Sequence, residues 1–389
     1  MHLEAIQAAL RESKLAGWLF FDHHRRDPLA YRILGLDPQK EATRRWYYFI
    51  PREGEPKKLV HQIESGTLDA LPGSKAKYAS WTDQVGKLGS LLPSGEKIAM
   101  QFSPRCAIPY VSLVDAGTID LVRGFGVEVV SSAELVQMFE SRLSEEQFAS
   151  HVEAGRRVDS VRSHAFRFIG DELTAGRTLT EFQVQQFVRR RFEESGLTTD
   201  HGPIVAANAN ASDPHYEPSR EKCSEIREED LVLIDMWAKL AQPDAVYYDI
   251  TWTGIRTQTI PSRMENVFEV VRDARMKACQ FVKSGIANGL RMEGWQVDDV
   301  ARLAITDRRL GEFFFHRTGH SIGTEVHGTG ANMDNLESHD ERPLISNTCF
   351  SIEPGIYLPE FGIRSEVNMY IGPDAAKVTG EEQFTVVRI

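Results

Sequence analysis

A long amphipathic helix near residue 145 is the feature that most constrains this chain. Ser144 with Gln147 three residues later forms a capping-box signature. Behind it, Phe148, Val152, Val158, Val161, Ala165 and Phe168 make one apolar stripe, with arginine and glutamate elsewhere. Such a stripe has to be covered by another layer. With 389 residues the chain exceeds what one ordinary core accommodates. Two domains are therefore expected, residues 1–143 and 144–389, with this helix as the hinge and the first element of the second.

The first domain reads as a small α/β unit. The apolar runs Trp18 to Phe21, Trp46 to Ile50, Leu59 to His61 and Ile98 to Met100 have strand length and strand residues. Helical stretches separate them, one around Trp81 to Leu92. In the second domain Thr180 and Gln183 form another capping box. The stretch 181–188, EFQVQQFV, is echoed by GWQVDDVA at 294–301. Each echo precedes a segment with strand character and histidines, which fits an α+β domain of two similar halves with a site between them.

Composition limits the partners. The formal net charge of −11 repels phosphate backbones, so nucleic acid is not expected. No apolar run approaches the roughly 20 residues of a bilayer span, so no membrane partner is expected. The opening MHLEAIQAALRESK lacks the apolar core of a signal peptide, and a cytoplasmic location is expected. Cys106, Cys223, Cys279 and Cys349 are scattered with no CxxC pair and read as reduced and structural.

Four segments carry candidate chemistry. In LVLID the strand 231–235 ends in Asp235, a position that also suits a turn or a cap. In YYDITW Asp249 interrupts a strand run, where its charge needs compensation unless the strand is an exposed edge. Thr251 projects from the same face as Asp249. The stretch HRTGHSIGTEVH places His316, His320 and His327 among glycines. The spacing of the first two would suit a helical pair, but Arg317 and the glycines oppose that, so strand and loop are expected. A chance cluster of surface histidines has the same appearance. Last, Glu353 precedes a Pro-Gly turn, and Arg364 and Glu366 alternate on one face, which alone describes a surface pair of little worth.

Taken together these segments resemble the pita-bread metallopeptidases, which include methionine aminopeptidase, prolidase and aminopeptidase P. The pattern of that family is an Asp, a second Asp in Asp-x-Thr, a Gly-His-x-x-Gly histidine, a Glu-Pro-Gly glutamate and a final Arg-x-Glu glutamate. Asp235, Asp249, His320, Glu353 and Glu366 follow it in order. The likeness extends over roughly residues 145 to 389. The preceding α/β domain resembles the N-terminal domain of the prolidase, aminopeptidase P and creatinase branch.

The resemblance implies two divalent ions. Asp235 would hold one, His320 and Glu353 the other, and Asp249 and Glu366 would bridge them. A hard, oxygen-rich donor set suits Mn²⁺ foremost, then Co²⁺ or Fe²⁺, and Zn²⁺ less specifically. Glu353 is the expected general base. His215, His316 and His327 match family histidines beside the substrate and are expected to stabilise the tetrahedral state. Arg364 is expected to orient Glu366. Hydrolysis of the Xaa-Pro bond in a small peptide and a homodimer are implied in the same way. A metal-dependent hydrolase of another small C–N substrate and a non-catalytic peptide-binding module are the alternatives. The chain departs from the family at Met236-Trp237-Ala238, where a glycine is usual, and at an insertion near 241–244 that offers Asp244 as a competitor for Asp249. It also departs at Val367-Asn368, where prolidases carry acidic residues.

Overall fold

A computed structural model describes residues 2–389, which form two compact units, one ending at Glu140 and the other running from Ser141 to Ile389. The first is built on a six-stranded sheet. Its strands are β1 (Gly17–Asp22), β2 (Trp46–Pro51), β3 (Lys57–His61), β4 (Ser74–Tyr78), β5 (Lys97–Met100) and β6 (Glu128–Ser131), in the spatial order β4-β3-β2-β1-β5-β6. Only β2 runs against its neighbours. Continuous apolar runs form β1 and β2 because both faces are covered. Trp18, Phe20, Trp46 and Tyr48 fill one core, while Leu19, Phe21, Tyr47 and Phe49 fill the other. The sequence reading missed β4 and β6. Both are sheet edges, and the lysines of SKAKY make β4 an exposed edge with no apolar run to betray it.

The second unit opens with the helix Glu145–Thr174, and both halves of its capping box are formed. Its buried face departs from the expected stripe. Val158, Val161 and Ala165 are buried, but Val152 is 48% exposed, and His151, Asp159 and Arg162 lie inside. These polar groups are matched: His151 Nδ1 donates to the Tyr247 carbonyl (2.6 Å) and Arg162 pairs with Asp159 (2.9 Å). A stripe read from apolar residues alone cannot register buried groups that satisfy one another.

The two halves repeat one order of elements. Helices Glu145–Thr174 and Glu181–Glu194 precede the antiparallel strands Leu231–Leu240 and Tyr248–Ile255. Helices Ser262–Ala287 and Gly294–Thr306 precede the antiparallel strands Thr348–Ile352 and Val367–Ile371. The echoed segments at 181 and 294 each begin the second helix of a half, and each helix carries a complete capping box. Alternation then positions the site. Val232, Ile234, Met236, Ala238, Tyr248 and Ile250 face the helices of the first half. Their neighbours Asp235, Trp237, Asp249 and Thr251 therefore share the opposite face. Among the described residues no helix is long and apolar enough to cross a membrane. All four cysteines are free thiols.

Candidate metal centre

Strand register fixes the first two carboxylates. Asp235 pairs with Thr251 across the ladder, and Trp237 pairs with Asp249. Asp235 lies midway along its strand, not at the end as expected, because Trp237 and Ala238 continue the pairing. Its charge is tolerated there: Arg364 Nη2 donates to Asp235 Oδ2 at 2.5 Å.

The second half delivers the other side chains from one end of its hairpin. Ile352 and Val367 are the last partners of that ladder, so Glu353 and Glu366 leave it side by side. The Glu353 N–H donates to Thr318 O (2.7 Å), and the Glu366 N–H donates to Thr251 O (3.2 Å), which ties the second half to the first. His320 precedes the short strand Ser321–Ile322, which pairs with Cys349 and Phe350. Its N–H donates to Ser351 Oγ (2.9 Å), and that hydroxyl donates to Glu353 Oε1 (3.0 Å). Gly319 allows this approach, since a Cβ there would stand 2.0 Å from Ser351 O.

The geometry gathers acceptors with few donors. Asp249, His320 and Glu366 each offer a ligand atom, and these atoms lie within 4.8 Å of one another. His320 Nδ1 faces the Ser321 carbonyl at 3.1 Å and must be its donor. Nε2 is left as a lone pair, 3.5 Å from Asp249 Oδ2 and 3.4 Å from Glu353 Oε1. Asp235 Oδ1, Asp249 Oδ1 and Glu366 Oε1 are buried without a hydrogen-bond partner among the described residues. Burial, followed by repulsion from Asp235, pushes the Asp249 carboxyl well above its usual range. Burial and then the charge of Asp249 do the same to Glu366. Burial raises Glu353 against the opposing effects of His320 and Arg364, and burial lowers His320. Orphaned, mutually repelling oxygens of this kind are costly unless a cation sits among them. The donor chemistry fits divalent ions.

The remaining expected residues fall into distinct settings. Thr251 Oγ1 donates to Glu366 Oε2 at 2.8 Å. Arg364 does not hold Glu366 directly, contrary to expectation. Its bonds go to Asp235, to Thr251 Oγ1 (3.0 Å) and to the Tyr357 hydroxyl (3.0 Å). Arg364 is linked to Glu366 through Thr251, whose hydroxyl accepts from Arg364 and donates to Glu366. His316 is half-buried behind the cluster. Its Nδ1 donates to Arg317 O (2.6 Å) and its Nε2 accepts from Tyr357 (2.6 Å), while burial holds its imidazole down to about 3. His327 stacks edge-on against His320 with ring centroids 4.4 Å apart. His215 stands exposed in the loop 213–216. Asp244 is exposed in the turn between the strands, at φ 56°, and does not reach the cluster.

Three contributors escaped the sequence reading. Tyr357 joins His316 to Arg364, and an added Cβ at Gly355 would meet its hydroxyl at 2.4 Å. Ser351 joins His320 to Glu353. Asn368 accepts from the Asp249 N–H (3.2 Å) and donates to the Asp249 carbonyl (2.6 Å). The available signals were the Glu-Pro-Gly-x-Tyr spacing and the departure at Asn368 from the acidic residues usual there.

Residues 149–373 match the model of metallopeptidase family M24. The chain is 30% identical over 220 residues to the Xaa-Pro dipeptidase of Lactobacillus delbrueckii subsp. lactis, covering 55% of this chain and 52% of that protein. It thus spans about half the length of the first curated relatives it matches. The fold is shared along the whole chain with dipeptidase PepE from Mycobacterium ulcerans, at a TM-score of 0.71 and 22% identity, covering 100% and 97% of the two chains. It is shared also with an X-prolyl aminopeptidase from Caenorhabditis elegans, described as a cytosolic enzyme with a di-nuclear active site. That TM-score is 0.67 at 16% identity, over 97% of this chain and 61% of that one. The family match covers more than half of the 389 residues, and the chain belongs to metallopeptidase family M24.

Proposed function

We propose that the chain hydrolyses the Xaa-Pro bond, in dipeptides or at peptide N-termini, with two divalent ions held by Asp235, Asp249, His320, Glu353 and Glu366. The observation that carries this reading is the His320 Nε2 lone pair turned toward the oxygens of Asp249 and Glu353, beside three orphaned carboxylate oxygens. Bound divalent cations would reconcile that many acceptors. The Xaa-Pro activity named for the Lactobacillus relative and the di-nuclear site described for the nematode enzyme support the same reading. Manganese is the proposed ion, since oxygen donors dominate; cobalt, ferrous iron and zinc compete for the same ligands.

When bound, the ions supply positive charge that activates the attacking water and stabilises the developing oxyanion. Glu353, oriented by the Ser351 hydroxyl, takes the proton from that water and returns it to the leaving proline nitrogen. His327 and His215, both exposed, would donate to the former carbonyl oxygen. His316 acts from behind, through Tyr357 and Arg364. A homodimer in the cytoplasm belongs to the same proposal, and the net charge of −11 supports a partner that is neither nucleic acid nor an anionic membrane surface.

Trp237 favours a second reading. An indole across the ladder from Asp249 stands beside the carboxylates, which would suit another small C–N substrate. A digest with Mn²⁺ that includes Xaa-Pro dipeptides, Xaa-Pro-Xaa peptides and cyclic amidines separates the two. Cleavage of proline peptides that chelation abolishes and Mn²⁺ restores is the expected result. Full activity in a verified metal-free sample would sink the proposal.

A further inference from the structure

We propose that Asp200 and Trp237 form a subsite for a cationic side chain, lysine or arginine, on the residue before the scissile bond. The inference rests on the peptidase reading and adds to it a charge preference. It starts from the ladder: Trp237 is the cross-strand partner of Asp249 and shares a face with Asp235. Cross-strand Cβ atoms lie about 5 Å apart, so the half-buried indole borders the carboxylate cluster directly.

The indole also carries a second group. Trp237 Nε1 donates to Asp200 Oδ1 at 2.8 Å, and the His201 N–H donates to the same oxygen at 3.0 Å. Oδ1 is thereby satisfied, and the carboxylate is pinned in one rotamer. Oδ2 faces the ring of exposed His201 at 3.3 Å. The Asp200 side chain is 45% exposed, and among the described residues no lysine or arginine pairs with it. The carboxylate is thus held beside the indole by neutral donors and the His201 ring, with its conformational freedom already spent, so an incoming cation does not have to order it. The indole supplies what the rest of such a side chain needs. A lysine or arginine stem lies along apolar surface while its charged head reaches a polar partner, and a cation near an indole face gains further attraction.

The full chain, loaded with Mn²⁺, tests this with Lys-Pro, norleucine-Pro and Glu-Pro. Norleucine keeps the lysine stem and lacks its charge. We expect kcat/KM for Lys-Pro to exceed that for norleucine-Pro by about two- to fivefold, the range of an exposed ion pair. Asp200→Asn should erase that ratio, and Asp200→Lys should turn the preference toward Glu-Pro. Equal kcat/KM for Lys-Pro and norleucine-Pro in the wild type overturns the subsite and leaves the peptidase reading standing. Calorimetric titration with lysinamide and norleucinamide gives a readout independent of turnover. Both ligands carry the same α-amine, so only the side-chain charge differs. Tighter lysinamide binding that Asp200→Asn removes supports the subsite even if no proline peptide is cleaved; equal affinities refute it.

Discussion

Arg364 and Asp235 are 129 residues apart in sequence and are joined by a charge-assisted hydrogen bond of 2.5 Å inside the second unit. The same guanidinium donates to Thr251 and Tyr357, so one side chain links a carboxylate of the first half to the hairpin of the second. Arg364 holds Asp235 Oδ2, and Oδ1 is left buried with no hydrogen-bond partner among the described residues. Division of labour within one carboxyl group is what an outer partner imposes on a ligand.

Arg364→Gln should therefore weaken metal retention without removing any donor atom to the ions. Loss of an outer partner typically costs about 10–100-fold in metal affinity. Competition against a chelator of known affinity measures it. An unchanged Mn²⁺ affinity would show that Asp235 is oriented by something else.

Asp249 allows a test in chelated protein. Its carboxyl is raised well above the ordinary value by burial and by Asp235. A raised carboxyl contributes stability that is complete below its unfolded value and is lost as pH rises through the folded one. Chelated Asp249→Asn and chelated wild type should melt together near pH 4. The variant should then gain increasingly as pH climbs toward 8, by roughly 2–4 °C for each kcal/mol in a domain of this size. Comparing the two proteins cancels the opposing contribution of the buried histidines. With Mn²⁺ the order should reverse, since only the wild type keeps its full ligand set. Asp244→Asn, in an exposed turn, should be silent in both series. A melting-temperature gap that shrinks with pH would contradict the raised carboxyl.

The histidines should separate by readout. His320→Ala should lose metal and rate together, because its Nε2 faces Asp249 and Glu353. His327→Ala and His215→Ala should keep near-normal metal content while turning over at least about tenfold more slowly, as loss of a donor to an oxyanion costs roughly 10²–10³ before partial rescue by water. Metal analysis beside steady-state kinetics decides. Metal loss in His327→Ala with His320→Ala still loaded would invert the assignment.

Local pattern in the sequence determined much of this protein. Ser144 with Gln147 and Thr180 with Gln183 announced two helix starts, and both capping boxes form. The doubly covered strands β1 and β2 were legible because a strand buried on both faces has no polar alternation to hide it. The order of Asp235, Asp249, His320, Glu353 and Glu366 along the chain carried the family. Tertiary structure alone decided the partners. Which carboxylate Arg364 meets, that Tyr357 stands between it and His316, and that Asn368 brackets the Asp249 backbone depend on register between segments more than a hundred residues apart for Asp235 and Asp249. Edge strands such as SKAKY and buried polar pairs such as Arg162 with Asp159 were invisible for a related reason. Periodicity reports how a segment divides apolar from polar surface, whereas these features depend on which other segment arrives to complete them.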